Sequence, residues 1–341
     1  MSAASPIKVV AIGGGTGLSS VLSGLKHYVH PADPASPRVD ITAIVTVTDD
    51  GGSSGRLRRE FDVLPPGDIR NCMVALSEDS ALLSRLFQYR FESGRGLKGH
   101  SFGNLFLTAL NHVMGDFADA VKVSSEVLNI AGRIYPSTAS NVSLEAKLAD
   151  GSKVQGETRI SRSREAIRAV RLKPRNARPL AAALAAIAEA DIITLGPGSL
   201  FTSVIPNLLV DGIPSAIRNS PAVKCYFVNL MSQPGETTCF TASDHVRAIQ
   251  RHAGKLIDYA VVNIRSISGA LKKHYAKEDA LPVEIDLDAF VKMGIRVIPA
   301  NLASSEGKIR HDPAATAAMV VRLGQEARRR AAQAASGNSP S

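Results

Sequence analysis

The sequence predicts an α/β protein with a Rossmann-like, doubly wound and mostly parallel sheet that carries a small β-rich insertion. Short β-branched runs alternate with helical runs along most of the 341 residues, which is typical of βαβ units. The run from Ile7 to Ile12, the glycine-rich turn after it and the run from Ile41 to Thr48 fit within one such unit. A unit of this kind implies parallel pairing and a right-handed crossover.

The first part of the chain is expected to continue from this unit into helices. After a strand at 7–12 come a helix at 18–28, a proline-rich loop at 31–37 and a strand at 41–48. Residues 68 to about 129 are expected to be mostly helical, in several pieces broken by glycines. From residue 179 onward the parallel pattern resumes, with helices at 179–190 and 245–253 and strands at 192–195, 225–230, 259–264 and 296–298.

An antiparallel signal interrupts this pattern. Apolar residues alternate from Val142 to Leu148, and Asp150-Gly151 is a two-residue hairpin turn. We therefore assign residues 132–175 to a β-rich insertion; the alternative is two edge strands of the main sheet. The prediction is a single domain over residues 1–330, a last helix capped by Asp312 with Pro313 in its first turn, and a flexible tail at 331–341.

Composition narrows the class of protein. The N-terminus has no signal-peptide pattern, no apolar stretch is long enough to span a membrane, and the three cysteines form no Cys-x-x-Cys pair. These features predict a cytoplasmic protein without a disulfide framework or a structural zinc site. The net charge is +9, but Trp is absent and aromatic residues make up 5%, so nucleic acid is not an expected partner.

Two loops after the first two strands are candidate ligand sites. Gly13-Gly14-Gly15-Thr16-Gly17 lies between a strand and a helix, where glycines let a phosphate approach backbone N–H groups. A Cβ at Gly17 is expected to block that approach; the alternative is a tight turn without a ligand. In the second loop, Asp49 or Asp50 could hold ribose hydroxyls or Mg²⁺, and Ser53 and Ser54 could contact phosphate.

Four more polar turns carry candidate residues. Asp68 fits a helix N-cap, which would place Arg70 and Asn71 in the first turn. His100 could be a general base or a phosphate donor, while Ser101 or Asn104 could cap the next helix. After later strands come Gly198 and Ser199, and then Asn229 and Gln233. Because strand carboxyl ends of a parallel sheet share one edge, these loops are expected to meet there.

Six blocks together resemble the YvcK family of gluconeogenesis factors, within the wider CofD-like group. They are GGGTGL from residue 13, TDDGGSSGRLRREF from 48, PPGDIRN from 65, HSFGNL from 100, GPGSLFTSVIPNLLV from 196 and NLMSQPGET from 229. The resemblance implies a Rossmann-like fold and binding of UDP-sugars such as UDP-N-acetylglucosamine, with a role in cell shape and envelope growth on gluconeogenic carbon sources. It also implies that Tyr259 and Arg296 contact the UDP-sugar.

The first hypothesis is therefore a regulatory protein that binds a uridine nucleotide or UDP-sugar and requires no cofactor. Protein partners in envelope synthesis and a homo-oligomer are compatible with it. The second is a transferase like CofD, which moves a phospholactyl group from a guanylated donor with Mg²⁺; Asp49 or Asp50 would hold the metal. No catalytic residue is assigned. A GTPase of the FtsZ type is disfavoured, because the phosphate loop of that family lies deep in its chain, whereas GGGTG follows the first strand here.

Overall fold

The computed structural model describes residues 5–78, 81–304 and 308–337. Within these residues the chain forms ten strands: β1 (Ile7–Gly13), β2 (Val39–Val45), β3 (Arg133–Pro136), β4 (Ser143–Leu148), β5 (Lys153–Gln155), β6 (Ile167–Lys173), β7 (Ile192–Leu195), β8 (Val223–Phe227), β9 (Tyr259–Asn263) and β10 (Arg296–Ala300). The strands that we predict for the main sheet agree with their counterparts to within a few residues, whereas β3 and β6 have no predicted counterpart. The buried β-branched runs form the central sheet.

Seven of the strands form one sheet in the order β10-β9-β8-β7-β1-β2-β3. Every neighbouring pair in this sheet is parallel. Without β4, β5 and β6, the strand order is that of a doubly wound sheet. The chain builds outward from β1 to β3 on one side and from β7 to β10 on the other, so the strand order reverses between β1 and β7. The predicted fold class is confirmed, and the reversal places the loops after β1 and β7 side by side.

Helices cover both faces of the sheet. In chain order they are α1 (Gly15–Leu25), α2 (Gly52–Phe61), α3 (Gly67–Leu76), α4 (Ala81–Gln88), α5 (Phe102–Met114), α6 (Phe117–Val127), α7 (Glu157–Ser161), α8 (Ala181–Glu189), α9 (Ile205–Leu208), α10 (Ile213–Asn219), α11 (Ala242–Ala253), α12 (Gly269–Ala276), α13 (Leu287–Met293) and α14 (Pro313–Gly337). A π-helical turn at Leu200–Val204 precedes α9. Leu18, Leu22 and Leu25 bury one side of α1 in the core.

The insertion begins later than the sequence pattern suggests. β4, β5 and β6 form a separate three-stranded antiparallel sheet in the order β5-β4-β6. Residues 133–136, which we assigned to the insertion, instead form β3 and pair in parallel with β2 at the edge of the main sheet. Four residues ending in Pro136 are too short for their period to show which sheet they join.

The predicted C-terminal tail is helical over most of its described length. α14 continues to Gly337, and residues 338–341 lie outside the described residues. The alanines of this segment have high helix propensity. At the other end, Asp312 accepts a hydrogen bond from the Ala315 backbone at 2.8 Å, as its predicted capping role requires.

Among the described residues no single helix is both long and apolar enough to cross a membrane. One bent pair, Leu200–Leu208 with Ile213–Asn219, passes that test by length and composition only. The apolar side chains of this pair are largely core residues of the protein.

Candidate functional site

A cavity of about 620 Å³ lies at the reversal point of the sheet. Its walls come from the loops after β1, β7 and β8, from the insertion and from the segments around α12 and before α14. The residues are Gly14, Gly15, Thr16, Gly17, Ser20, Glu157, Ser161, Pro197, Gly198, Ser199, Ser203, Asn229, Leu230, Met231, Ser232, Gln233, Pro234, Glu236, Tyr275, Glu278, Ala280, Ile309, Arg310 and His311. We call this the first cavity. Open α/β sheets bind ligands at this position.

The glycine-rich loop is packed tightly against its neighbours. A Cβ on Gly17 would stand 2.8 Å from Gly198 Cα and 2.7 Å from the carbonyl carbon of Pro197. A Cβ on Gly14 would stand 2.6 Å from Thr46 Cγ2. The glycines therefore let the loops after β1 and β7 touch, which is a structural reason for them beside the predicted phosphate approach. Gly13 is the last residue of β1 and does not line the cavity.

The side chain of Asp68, on helix α3, lies beside the N-terminus of α1. The N-cap position of α3 is Pro66, so the prediction that Asp68 caps this helix is wrong. Its carboxylate instead accepts a hydrogen bond from the Gly15 backbone, and burial together with the charge of Asp49 raises its pKa to about 7. The N-terminus of α1 has no side-chain cap of its own, and the carboxyl group of Asp68 lies beside it.

The two adjacent carboxylates after β2 have different roles. Asp49 accepts the Gly51 N–H at 2.8 Å, and burial raises its pKa. Asp50 accepts two hydrogen bonds from Thr158, from its backbone N–H at 2.8 Å and its hydroxyl at 2.7 Å. Asp50 therefore ties α7 of the insertion to the main sheet. Within the described part of the chain no three His, Cys, Asp or Glu side chains are grouped to hold a metal ion.

Four predicted ligand residues lie in a buried cluster between α2 and α5. Ser53 Oγ lies 2.9 Å from His100 Nδ1, and Asn104 Nδ2 donates to Ser54 Oγ at 3.4 Å. Burial lowers the pKa of His100. Ser101, the alternative we left open, caps α5 by accepting the Asn104 N–H at 3.3 Å. None of the four lines the first cavity, and their contacts are those of a packed helix pair.

The opposite wall of the first cavity is a connected polar network. Gln233 donates to Ser199 Oγ at 2.8 Å, and Asn229 donates to Gln233 Oε1 at 3.3 Å. The buried carboxylate of Glu236 accepts from the Thr202 hydroxyl at 3.0 Å and the Ser161 hydroxyl at 3.2 Å. Burial raises the pKa of Glu236. The predicted residues Gly198, Ser199, Asn229 and Gln233 are thus brought together, and the network fixes their orientation.

Several cavity residues carried no signal in the sequence. Glu157 comes from α7, Tyr275 from α12, and Arg310 and His311 from the segment before α14. Tyr275 Oη accepts the Ile309 N–H at 3.1 Å, which joins two of these segments. We had predicted neither α7 nor α12, and only the folded chain places these residues beside the glycine-rich loop.

Arg70 and Asn71 line a second cavity, which adjoins the first. It has a volume of about 800 Å³ and lies between α1, α3 and the segment before α14. Thr16, Ser20, Arg310 and His311 belong to the walls of both cavities. The predicted set of ligand residues is therefore divided between two neighbouring spaces and the buried cluster.

Tyr259 and Arg296 are not brought to this site. They are the first residues of β9 and β10, so they lie at the opposite edge of the parallel sheet. The Arg296 guanidinium lies 5.2 Å from the centre of the Tyr259 ring, and Arg330 donates a hydrogen bond to Tyr259 Oη. An aromatic residue and an arginine do line the first cavity, but they are Tyr275 and Arg310.

Comparison with known proteins extends these findings. Residues 9–303 match the family described as 2-phospho-L-lactate transferase CofD. The gluconeogenesis factor of Bacillus subtilis is 46% identical over 321 residues, which cover 94% of this chain and 98% of that protein. The gluconeogenesis factor of Halalkalibacterium halodurans is 49% identical over 291 residues, which cover 85% of this chain and 88% of that protein.

Other relatives are longer, and the fold itself has been solved. A Nostoc relative is 50% identical over 310 residues, but the match spans 66% of that protein's length and 90% of this chain. A crystal structure from Bacillus halodurans, described as a member of the UPF0052 family, superposes with a TM-score of 0.88 at 45% identity. It covers 93% of this chain and 99% of that one.

Proposed function

The chain belongs to the CofD family, with relatives named gluconeogenesis factor, and we propose that it is a regulatory protein that binds a nucleotide sugar of the UDP-N-acetylglucosamine type. The observation that carries the proposal is the first cavity. It lies at the reversal point of a doubly wound sheet, where nucleotides bind in such folds. Its volume of about 620 Å³ is within the range of small-molecule sites.

The chemistry of the walls suits a ligand with both hydroxyl groups and phosphates. Ser199, Asn229 and Gln233 offer hydroxyl and amide groups whose positions the network already fixes. Glu157 and Glu236 can accept hydrogen bonds from sugar or ribose hydroxyls. Arg310 is the cavity's guanidinium and would pair with the diphosphate, while Tyr275 would pack against a ring of the ligand.

In this proposal the protein is a cytoplasmic sensor rather than an enzyme. Binding would couple the level of a nucleotide sugar to cell shape and envelope growth on gluconeogenic carbon sources, through protein partners. The support for this role is the sequence resemblance and the name shared by the relatives, and no cofactor is needed for it.

A CofD-like transferase is the second candidate, and the family match favours it. Such an enzyme would need carboxylates free to hold Mg²⁺ near the phosphates. Asp49 and Asp68 lie close to the glycine-rich loop, but they accept backbone N–H groups, and Asp50 is bound to Thr158. Among the described residues no three His, Cys, Asp or Glu side chains are grouped to hold a metal ion, so we derive no step through magnesium.

Calorimetric titration with UDP-N-acetylglucosamine tests the proposal, and two arginines offer a matched comparison. Arg310→Gln should weaken binding at least tenfold, because it removes the cation from the first cavity. Arg296→Gln makes the same change in an exposed arginine at the opposite edge of the sheet and should leave binding within twofold.

Two results would contradict the assignment. One is tight binding of GDP or NADH with no binding of the uridine nucleotide at millimolar concentration. The other is a loss of binding in Arg296→Gln with none in Arg310→Gln, which would move the site to the opposite edge. Native mass spectrometry of the purified protein would identify a nucleotide that co-purifies.

A further inference from the structure

The second cavity has a charge pattern of its own. Its walls are Thr16, Ser19, Ser20, Arg70, Asn71, Val74, Ala75, Gln88, Ser304, Lys308, Arg310, His311 and Pro313. The wall residues, all within the described ranges, include three Arg or Lys side chains and no Asp or Glu. The first cavity, by contrast, has three glutamates and one arginine. Positive charge is therefore concentrated in the second cavity, where it favours an anionic ligand group.

Arg70 is held in place yet keeps an unused donor. Its Nη2 donates to Asn71 Oδ1 at 2.7 Å and its Nη1 donates to the Phe87 carbonyl at 3.4 Å. Its Nε is buried and has no hydrogen-bond partner among the described residues. A buried donor without a partner is costly, but this atom is closed to solvent, so a ligand acceptor reaches it only if the side chain moves.

His311 brings a second unpartnered atom to the same wall. Its Nε2 is buried without a hydrogen-bond partner among the described residues. Two contacts hold the backbone of His311. Its carbonyl accepts a hydrogen bond from the Ser20 hydroxyl at 3.1 Å, and it forms an isolated antiparallel β-bridge with Ala303. Burial lowers the pKa of His311 to about 4, so the ring is neutral near pH 7. A hydrogen bond with the Val228 backbone opposes this fall in pKa, so we assign the ring no contact with the phosphate.

We propose that the second cavity binds the phosphate monoester group of a small metabolite, at a site separate from the nucleotide sugar. Arg70, Lys308 and Arg310 line the cavity and supply the positive charge. Three cations suit a dianionic phosphate better than a single carboxylate. The volume of about 800 Å³ leaves room for the organic part of the ligand beside the hydroxyls of Ser19 and Ser20.

The site does not depend on the proposed nucleotide-sugar function. Thr16, Ser20, Arg310 and His311 are shared walls, but Arg70 and Lys308 belong to the second cavity alone. Substitution of these two residues therefore tests the second site without altering the first. The same titrations can be made with no nucleotide present.

The experiment is a calorimetric titration of the full chain with glycerol 3-phosphate and with inorganic phosphate, at constant ionic strength. Both probes should bind, and glycerol should not. Lys308→Gln should weaken the binding of glycerol 3-phosphate at least fivefold, and Arg70→Gln should weaken this binding more. Arg59→Gln makes the same charge change in an exposed residue of α2 and should stay within twofold. If Arg70→Gln does not fold, the exposed Lys308 decides the test.

Four results would overturn the proposal. They are no binding of either phosphate probe to the wild type, equal affinity in the wild type and Lys308→Gln, binding of malate as tight as that of glycerol 3-phosphate, and complete loss of phosphate binding under saturating UDP-N-acetylglucosamine. Loss of phosphate binding under saturating UDP-N-acetylglucosamine would show that the two ligands share one site. Failure of UDP-N-acetylglucosamine to bind would contradict the proposed function and leave these titrations unaffected.

Discussion

The carboxylate of Asp68 accepts a hydrogen bond from the backbone N–H of Gly15, and this contact joins α3 to the N-terminus of α1. A Cβ on the neighbouring Gly14 would stand only 2.7 Å from Asp68 Oδ2. The start of α1, where the sequence pattern suggests a phosphate, is thus already occupied by a carboxylate of the chain. The buried position also raises the pKa of Asp68 to about 7.

The raised pKa of Asp68 predicts a pH dependence of stability. The ordinary value is 3.8, so between about pH 4 and pH 7 the folded protein binds a proton that the unfolded chain has lost. The contribution of Asp68 to the free energy of unfolding should therefore fall as pH rises through this window, by at most about 4 kcal/mol. Asp68→Asn removes this contribution, so the stability of the variant relative to the wild type should rise from pH 5 to pH 8.

Urea denaturation at the two pH values measures this effect. Raised pKa values of Asp49, Glu157 and Glu236 act in the same direction, and the lowered pKa values of His245 and His311 act in the opposite direction. The variant is therefore compared with the wild type at each pH. Asp211→Asn, which alters an exposed carboxylate, is the control and should leave the wild-type dependence intact. An unchanged pH dependence in Asp68→Asn would show that this carboxyl is ionised throughout the window.

The close approach of Gly17 to the loop after β7 predicts a loss of stability on substitution. Gly17→Ala would place Cβ 2.7 Å from the Pro197 carbonyl carbon, and backbone atoms cannot rotate away as a side chain can. Overpacking of this kind costs about 1–3 kcal/mol. Gly13→Ala is the matched control, because its Cβ would meet Leu18 Cβ at an ordinary 3.4 Å.

Thermal unfolding followed by circular dichroism compares the two variants. This expectation replaces the one drawn from the glycine pattern, in which a side chain at position 17 blocks a ligand in an otherwise undisturbed protein. If Gly17→Ala and Gly13→Ala melt at the same temperature as the wild type, the loop contact does not matter for stability.

The bonds between Asp50 and Thr158 predict that Asp50 stabilises the insertion. Asp50→Ala removes the acceptor of two hydrogen bonds and leaves the Thr158 N–H without it, at a cost of about 1–3 kcal/mol. Hydrogen exchange should rise in α7 and β5 more than in β1. Glu60→Ala, which removes an exposed carboxylate of α2, serves as the control. An equal rise in hydrogen exchange in all strands would contradict the expectation that Asp50 stabilises the insertion in particular.

The carboxylate arrangement predicts that ligand binding does not need magnesium. Since Asp49, Asp50 and Asp68 already accept hydrogen bonds from the chain, EDTA should change nucleotide-sugar affinity less than about threefold, or about 0.7 kcal/mol. Incubation of UDP-N-acetylglucosamine with the protein and Mg²⁺ should release no UDP or UMP over hours. Steady release that Asp49→Asn abolishes would instead establish a transferase or hydrolase.

The sequence by itself determined the architecture, because strand and helix periods are local properties. The apolar runs at β1, β2, β7, β8 and β9 and the turns after them predict a doubly wound sheet with polar loops at one edge. Gly198, Ser199, Asn229 and Gln233 could be assigned to the site for the same reason. Strand order then places these residues together without any knowledge of side-chain contacts.

Only the tertiary structure decided which polar residues face a cavity. Asp50 and His100 belong to motifs as polar as that of Ser199, yet their hydrogen bonds are satisfied by Thr158 and Ser53. Tyr275 and Arg310 have no local pattern and reach the first cavity through segments far along the chain. Packing between distant segments decides whether a polar group meets a ligand or another part of the protein, and no period or spacing encodes it.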